Sequence, residues 1–169
     1  MGLLGCLCRW LFCFSHNVGI FRRDDMRIVI AVVVMAMLAG CGTTPIPSSQ
    51  ADRVPAARLK AFQDPKAGSA VMVVTRDKGV FAGGGCYTAI LIDGKVAARL
   101  GTGETATFYL TEGRHIYGLS GDAEGGGLCA AQIGQAVRES AGEFKAGETQ
   151  KFRVSGDSSA WLELRPTSL

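Results

Sequence analysis

Histidine is scarce in this chain: there are two among 169 residues, and only His115 follows position 41. Metal centres draw on His, Cys and carboxylates clustered at characteristic spacing, and the sequence beyond Cys41 holds no such cluster. No Cys-x-x-Cys occurs, so the usual dithiol redox motif is missing. From position 41 onward only Cys41, Cys86 and Cys129 remain, too few for an iron–sulfur enzyme. Neither glycine run leads into Gly-Lys-Ser/Thr or a strand–turn–helix, which excludes a P-loop and a dinucleotide loop. Charge of one sign is also lacking. The 18 Lys+Arg and 15 Asp+Glu give a net +3, too little to argue for a nucleic-acid partner. No apolar run reaches the roughly 20 residues of a spanning helix. At this length the chain makes one domain, which excludes a multidomain enzyme.

What is present divides into a leader and a glycine-rich domain. Arg27 follows Met26, and Ile28–Leu38 is an unbroken apolar run of 11 residues. Small residues then precede Cys41. A positive flank, a short apolar core and small residues before a cut site describe a secretory signal, here 26–40. Leu38-Ala39-Gly40-Cys41 resembles the lipobox of bacterial lipoproteins. That resemblance implies a diacylglycerol on the Cys41 thiol, cleavage just before it, and acylation of the new amino terminus. It places the protein in the bacterial envelope, anchored to a membrane by lipid. Gly42 stands where Asp would favour inner-membrane retention, so the resemblance points to the outer membrane, facing the periplasm. Residues 1–25 read as an upstream extension, with Met26 as the start; the alternative is a genuine cytoplasmic or membrane-inserting extension.

Beyond Cys41 there are 14 Lys+Arg and 13 Asp+Glu. A nearly neutral domain needs no charged partner, and multiple acyl chains give stable anchoring. Cys86 and Cys129 in an oxidising compartment suggest one disulfide; the alternative is two buried, unlinked thiols. Each lies beside a glycine run, Gly83-Gly84-Gly85 and Gly125-Gly126-Gly127. Loops cluster at the ends of a sandwich, so these two runs are candidates for a binding edge.

Residues 41–69 read as the lipidated cysteine, a polar tether over 42–51, and a short helix within 52–64. Pro55 would open that helix, with Leu59 and Phe62 packing on the domain. From Ala70 the pattern is strand-like to the C-terminus. AVMVVT (70–75) is β-branched, and CYTAILI (86–92) is apolar on both parities. Asp93-Gly94 signals a two-residue hairpin. KVAARL (95–100) alternates, with Val96, Ala98 and Leu100 inward. Thr105–Leu110, Arg114–Leu119, Thr149–Val154 and Ala160–Arg165 follow, parted by glycine turns. Leu128–Ser140 carries Ile133, Ala136 and Val137 at helical spacing, and 138–145 also reads as a strand broken at Gly142. Gly103–Leu110 and Gly147–Val154 share G-E-T-x-x-F, each a glycine turn launching a strand whose Phe enters the core. The expected fold is all-β: an antiparallel sandwich over 70–169, immunoglobulin-like or transthyretin-like.

The stretch CYTAILIDGKVAARLGTGETATFYLTEGRH resembles small proteobacterial envelope lipoproteins carrying an uncharacterised β-sandwich domain. It is also similar to PEGA-type sandwich modules, with Thr111-Glu112-Gly113 at the position of their Pro-Glu-Gly turn. The resemblance implies a compact sandwich and carries over no catalytic residue, metal or cofactor.

His115 is either a hydrogen-bonded strand histidine or a member of a triad with Ser120 and Asp122. The favoured function is a non-enzymatic lipoprotein that binds or assembles with an envelope protein or cell-wall component. Outward Tyr109 and Trp161 are candidate contacts. The alternative is a small periplasmic hydrolase or thiol-redox enzyme using His115 or the cysteine pair.

Overall fold

A computed structural model describes residues 43–79, 85–127, 129, 136–157 and 160–169. All belong to Cys41–Leu169, one of the two units into which the chain divides. The described residues form nine strands: β1 Asp52–Arg53, β2 Ala70–Arg76, β3 Thr88–Ile92, β4 Lys95–Leu100, β5 Glu104–Leu110, β6 Gly113–Gly121, β7 Arg138–Phe144, β8 Thr149–Asp157 and β9 Ala160–Pro166. They make two sheets, ordered β1-β5-β2-β8-β9 and β4-β3-β6-β7. One core lies between them. Met72, Val74, Phe108, Leu110, Phe152 and Val154 come from the first sheet, and Ile90, Ile92, Leu100, Tyr117, Leu119 and Phe144 from the second. The all-β expectation holds.

The sheets are not purely antiparallel as expected. β1 runs parallel to β5, and β8 runs parallel to β2. The second case involves the G-E-T-x-x-F echo. Gly103 and Gly147 both hold positive φ, +78° and +72°, which a glycine adopts without steric cost. Each launches a strand beside β2, β5 antiparallel on one side and β8 parallel on the other. Phe108 and Phe152 are buried accordingly.

Asp93 and Gly94 both take positive φ, 50° and 72°, as a type I′ hairpin requires. Val96, expected inward, is instead exposed at 39%. The register slips between Ile90 and Leu91, so Ala97 and Ala98 are both buried and Val96 turns outward.

The short helix expected in 52–64 does not form. Asp52–Arg53 is a strand, and only Ala56–Arg58 makes a single 3-10 turn, with Pro55 just before it rather than inside. Two-residue pairing with β5 straightens the chain before a helix could start. Leu59 and Phe62 still pack against the core. The expected polar tether is likewise built into the domain: Ile46 is buried, and Thr44 and Lys78 form an isolated antiparallel bridge.

Of the helix expected over 128–140, residues 128 and 130–135 lie outside the described residues, while Arg138–Ser140 belong to β7. β7 continues through Gly142, where a Cβ would stand 3.1 Å from the Tyr117 ring. The missing side chain makes room for Tyr117 and does not break the strand.

Candidate functional site

The chemistry-bearing side chains gather at the end of the sandwich where β2, β4 and β6 finish and β3 and β5 begin. Cys86, just before β3, and Cys129, after β6, form a disulfide with Cα atoms 5.4 Å apart. Gly125 packs against it: a Cβ there would lie 2.8 Å from Cys129 Cβ and 3.0 Å from the Asp122 carbonyl oxygen. Arg76, at the end of β2, is buried at 4% exposure. Its guanidinium donates to the carbonyls of Cys86 and Leu100, both at 2.9 Å, and so ties one sheet to the other. Burial pushes its pKa down to about 10.

Two bidentate ion pairs stand beside this tie. Arg58, from the 3-10 turn, donates to both oxygens of Glu104 at 2.6 and 2.5 Å. Gly101 N–H donates to the same carboxylate at 2.6 Å. Arg99 donates to both oxygens of Asp122 at 2.7 Å and to Glu124 at 3.1 Å. Lys60 completes the set with a 3.0 Å bond to Glu124. The guanidiniums of Arg58 and Arg99 lie 4.3 and 5.2 Å from the Tyr87 ring centroid, within cation–π range. Burial pushes the Glu104 pKa up, but Arg58 and the Gly101 N–H outweigh it and hold the carboxyl below its usual range. Arg58 and Arg99 are raised, each by its bonded carboxylate.

Such a network is suited to fixing loops. Asp122, the triad candidate, has both carboxylate oxygens taken up by Arg99.

His115 lies elsewhere, near the opposite end of β6. Its Nδ1 is 2.7 Å from Asp93 Oδ2 and its Nε2 is 3.0 Å from the Thr111 carbonyl. Burial lowers its pKa, but the Asp93 carboxylate and the Thr111 carbonyl raise it by more. Ser120 is five residues further along the same strand, about 17 Å away at strand rise. Ser120, His115 and Asp122 therefore do not converge.

Of the remaining sequence-predicted residues, Leu38, Ala39, Gly40, Cys41, Gly83 and Gly84 lie outside the described residues, as does the Trp161 side chain. Gly85, Gly126 and Gly127 are exposed. Tyr109 is half-buried and lines a shallow cleft of about 540 Å³ with Arg53, Leu59, Gln63 and Val73. Sequence reasoning missed Arg58, Arg76, Tyr87, Arg99 and Glu104 as a group, because their partners are 10 to 46 positions away. Among the described residues, no three His, Cys, Asp or Glu side chains come together as metal ligands.

Comparison with models of protein families, with characterised proteins and with solved structures returned no match.

Proposed function

We propose that this protein is a lipid-anchored lipoprotein of the bacterial envelope, with a binding or assembly role and no catalytic step of its own. The observation that carries the reading is the disulfide between Cys86 and Cys129. It uses the two cysteines that follow Cys41, and it suits the oxidising compartment to which the Leu38-Ala39-Gly40-Cys41 lipobox would deliver the chain. The outer membrane is the anchoring site, on the identity of Gly42.

An immunoglobulin-like sandwich is the finer fold within this reading. β3, β6 and β7 lie side by side as the C, F and G strands of that fold do, and β2 and β5 as B and E do. β8 takes the place of strand A from the other end of the chain. The polar side chains support binding over catalysis: the arginines close on carboxylates and backbone carbonyls, and both His115 nitrogens are engaged.

The test is the intact mass of the membrane-extracted protein, with and without reductant. A lipidated chain that begins at Cys41 and gains two protons on reduction is expected. An unlipidated chain retaining Met1 would overturn the reading.

A further inference from the structure

The first described residues are stitched into the domain. Thr43 N–H donates to the Gly156 carbonyl at 3.1 Å, and the Thr43 hydroxyl accepts the Gly156 N–H at 3.1 Å. Thr44 and Lys78 exchange both backbone bonds, at 2.7 and 3.0 Å. Ile46 is then buried, and Asp52 and Val54 donate to the carbonyls of Gly103 and Thr105. Gly42 alone separates Cys41 from this seam. Two residues reach at most about 7 Å.

The seam also has a defined place. It sits where β2 and β8 finish and β5 begins, since Thr75 pairs with Thr105 and Arg76 with Val154. Arg76, two residues before the seam residue Lys78, donates to the carbonyl of Cys86. The seam and the disulfide thus share one end of the sandwich. The turns at Asp93-Gly94, Glu112-Gly113 and Gly147 lie at the other end, about 20 Å away along strands of seven residues.

Building on the reading of Cys41 as lipidated, we propose that the disulfide end is the membrane-facing end of the domain, held against phospholipid headgroups by the absence of a tether. Four carboxylates near the seam are already neutralised: Asp77 by Arg153, Glu104 by Arg58, Asp122 by Arg99, and Glu124 by Lys60. Asp52, exposed in the seam, is offset by exposed Arg53 and Lys78, so packing this end against anionic headgroups meets little like-charge repulsion. The described part of the expected binding edge, Gly85 and Gly125–Gly127, then faces lipid.

The experiment uses the full-length gene product, processed in the envelope and placed in nanodiscs of phosphatidylethanolamine and phosphatidylglycerol carrying a paramagnetic chelate on a fraction of headgroups. Its intact mass is read first. The amide NMR signals of Lys78, Thr102 and Gly126 are expected to lose most of their intensity, while those of Gly94, Gly113 and Gly147 keep theirs. A Gly/Ser spacer of about twelve residues between Gly42 and Thr43, about 20 Å in mean reach, should restore the first set. Equal losses at both ends in a chain whose mass includes the lipid would overturn the orientation alone. A mass without lipid would overturn the anchoring and the orientation together.

Discussion

His115 and Asp93 join the β3–β4 hairpin to β6 through a contact of 2.7 Å between Nδ1 and Oδ2. The other Asp93 oxygen accepts the Ile116 N–H at 3.0 Å. As the imidazolium, His115 donates from both nitrogens, to Asp93 and to the Thr111 carbonyl. Neutral imidazole donates from only one. The His115 pKa is raised, so its stabilisation is complete below the unfolded value and fades as pH rises through the folded one. For Asp93, burial pushes the pKa up, but His115 and the Ile116 N–H hold it lower. Its contribution is present above the unfolded carboxyl value and lost as pH falls through the depressed one. The pair therefore stabilises most between about pH 4 and 6.5. With Asp93 40% exposed, His115→Ala should cost about 1 kcal/mol at pH 5.5 and less at pH 8.5. Urea titrations at the two pH values measure this. An equal loss at both would reject the ion pair.

Glycines differ in what they make room for. A Cβ on Gly118 would overlap the Arg138 carbonyl oxygen of the neighbouring strand and stand 3.0 Å from Glu139 Cα. These are β7 backbone atoms, which cannot move aside without breaking the β6–β7 ladder. Gly118→Ala should cost about 3 kcal/mol or more. Gly126, with nothing within 4 Å of its Cβ position, should accept alanine within about 0.5 kcal/mol. Thermal melts of the two variants test the contrast, and equal melting temperatures would contradict the β6–β7 contact.

The disulfide spans 43 positions. On the chain-entropy account, closing such a loop stabilises by about 4 kcal/mol, and measured gains are commonly smaller. Replacing both Cys86 and Cys129 by serine should lower stability by about 2–4 kcal/mol. It should also loosen the Asp122–Gly125 turn that packs on Cys129. The readouts are the urea midpoint and amide exchange at Gly125. If the double variant is as stable as the oxidised parent, the bridge contributes nothing to the fold.

The strands were legible because their signals are local. Alternation in Thr105–Leu110 and the Asp93-Gly94 turn depend on neighbours in sequence. Val96 was misread because a bulge at Ile90/Leu91 shifts parity, and nothing in KVAARL reports what happens on the opposing strand. The parallel placement of β8 beside β2 was equally hidden, since pairing partners are chosen by the whole fold. Glycine was ambiguous at Gly142, where the same residue that suggests a break instead admits the Tyr117 ring. The cysteine pair could be anticipated by counting. The Arg58–Glu104 pair could not, because both residues look like ordinary surface charges until the 3-10 turn brings them together.

That pair yields the last prediction. Arg58 and Glu104 side chains are 13% and 17% exposed, and Glu104 also accepts the Gly101 N–H. Glu104→Gln keeps the volume but leaves a mostly buried guanidinium facing a neutral amide. Breaking one partner of such a pair costs more than the pair contributes, so a loss of about 2–3 kcal/mol is expected at pH 7. Arg58→Met together with Glu104→Gln should recover part of that loss, because it removes the uncompensated charge. Acid gives an independent check. The Glu104 pKa is depressed chiefly by Arg58 against the upward push of burial, so its stabilisation disappears as pH falls through the depressed value. Parent and Glu104→Gln should therefore converge in stability toward acid, with the full gap between them present above the unfolded carboxyl value of about 4.3. Chemical denaturation across that range measures both effects. A constant gap from pH 2 to 7 would mean that Glu104 acts through packing and not through its charge.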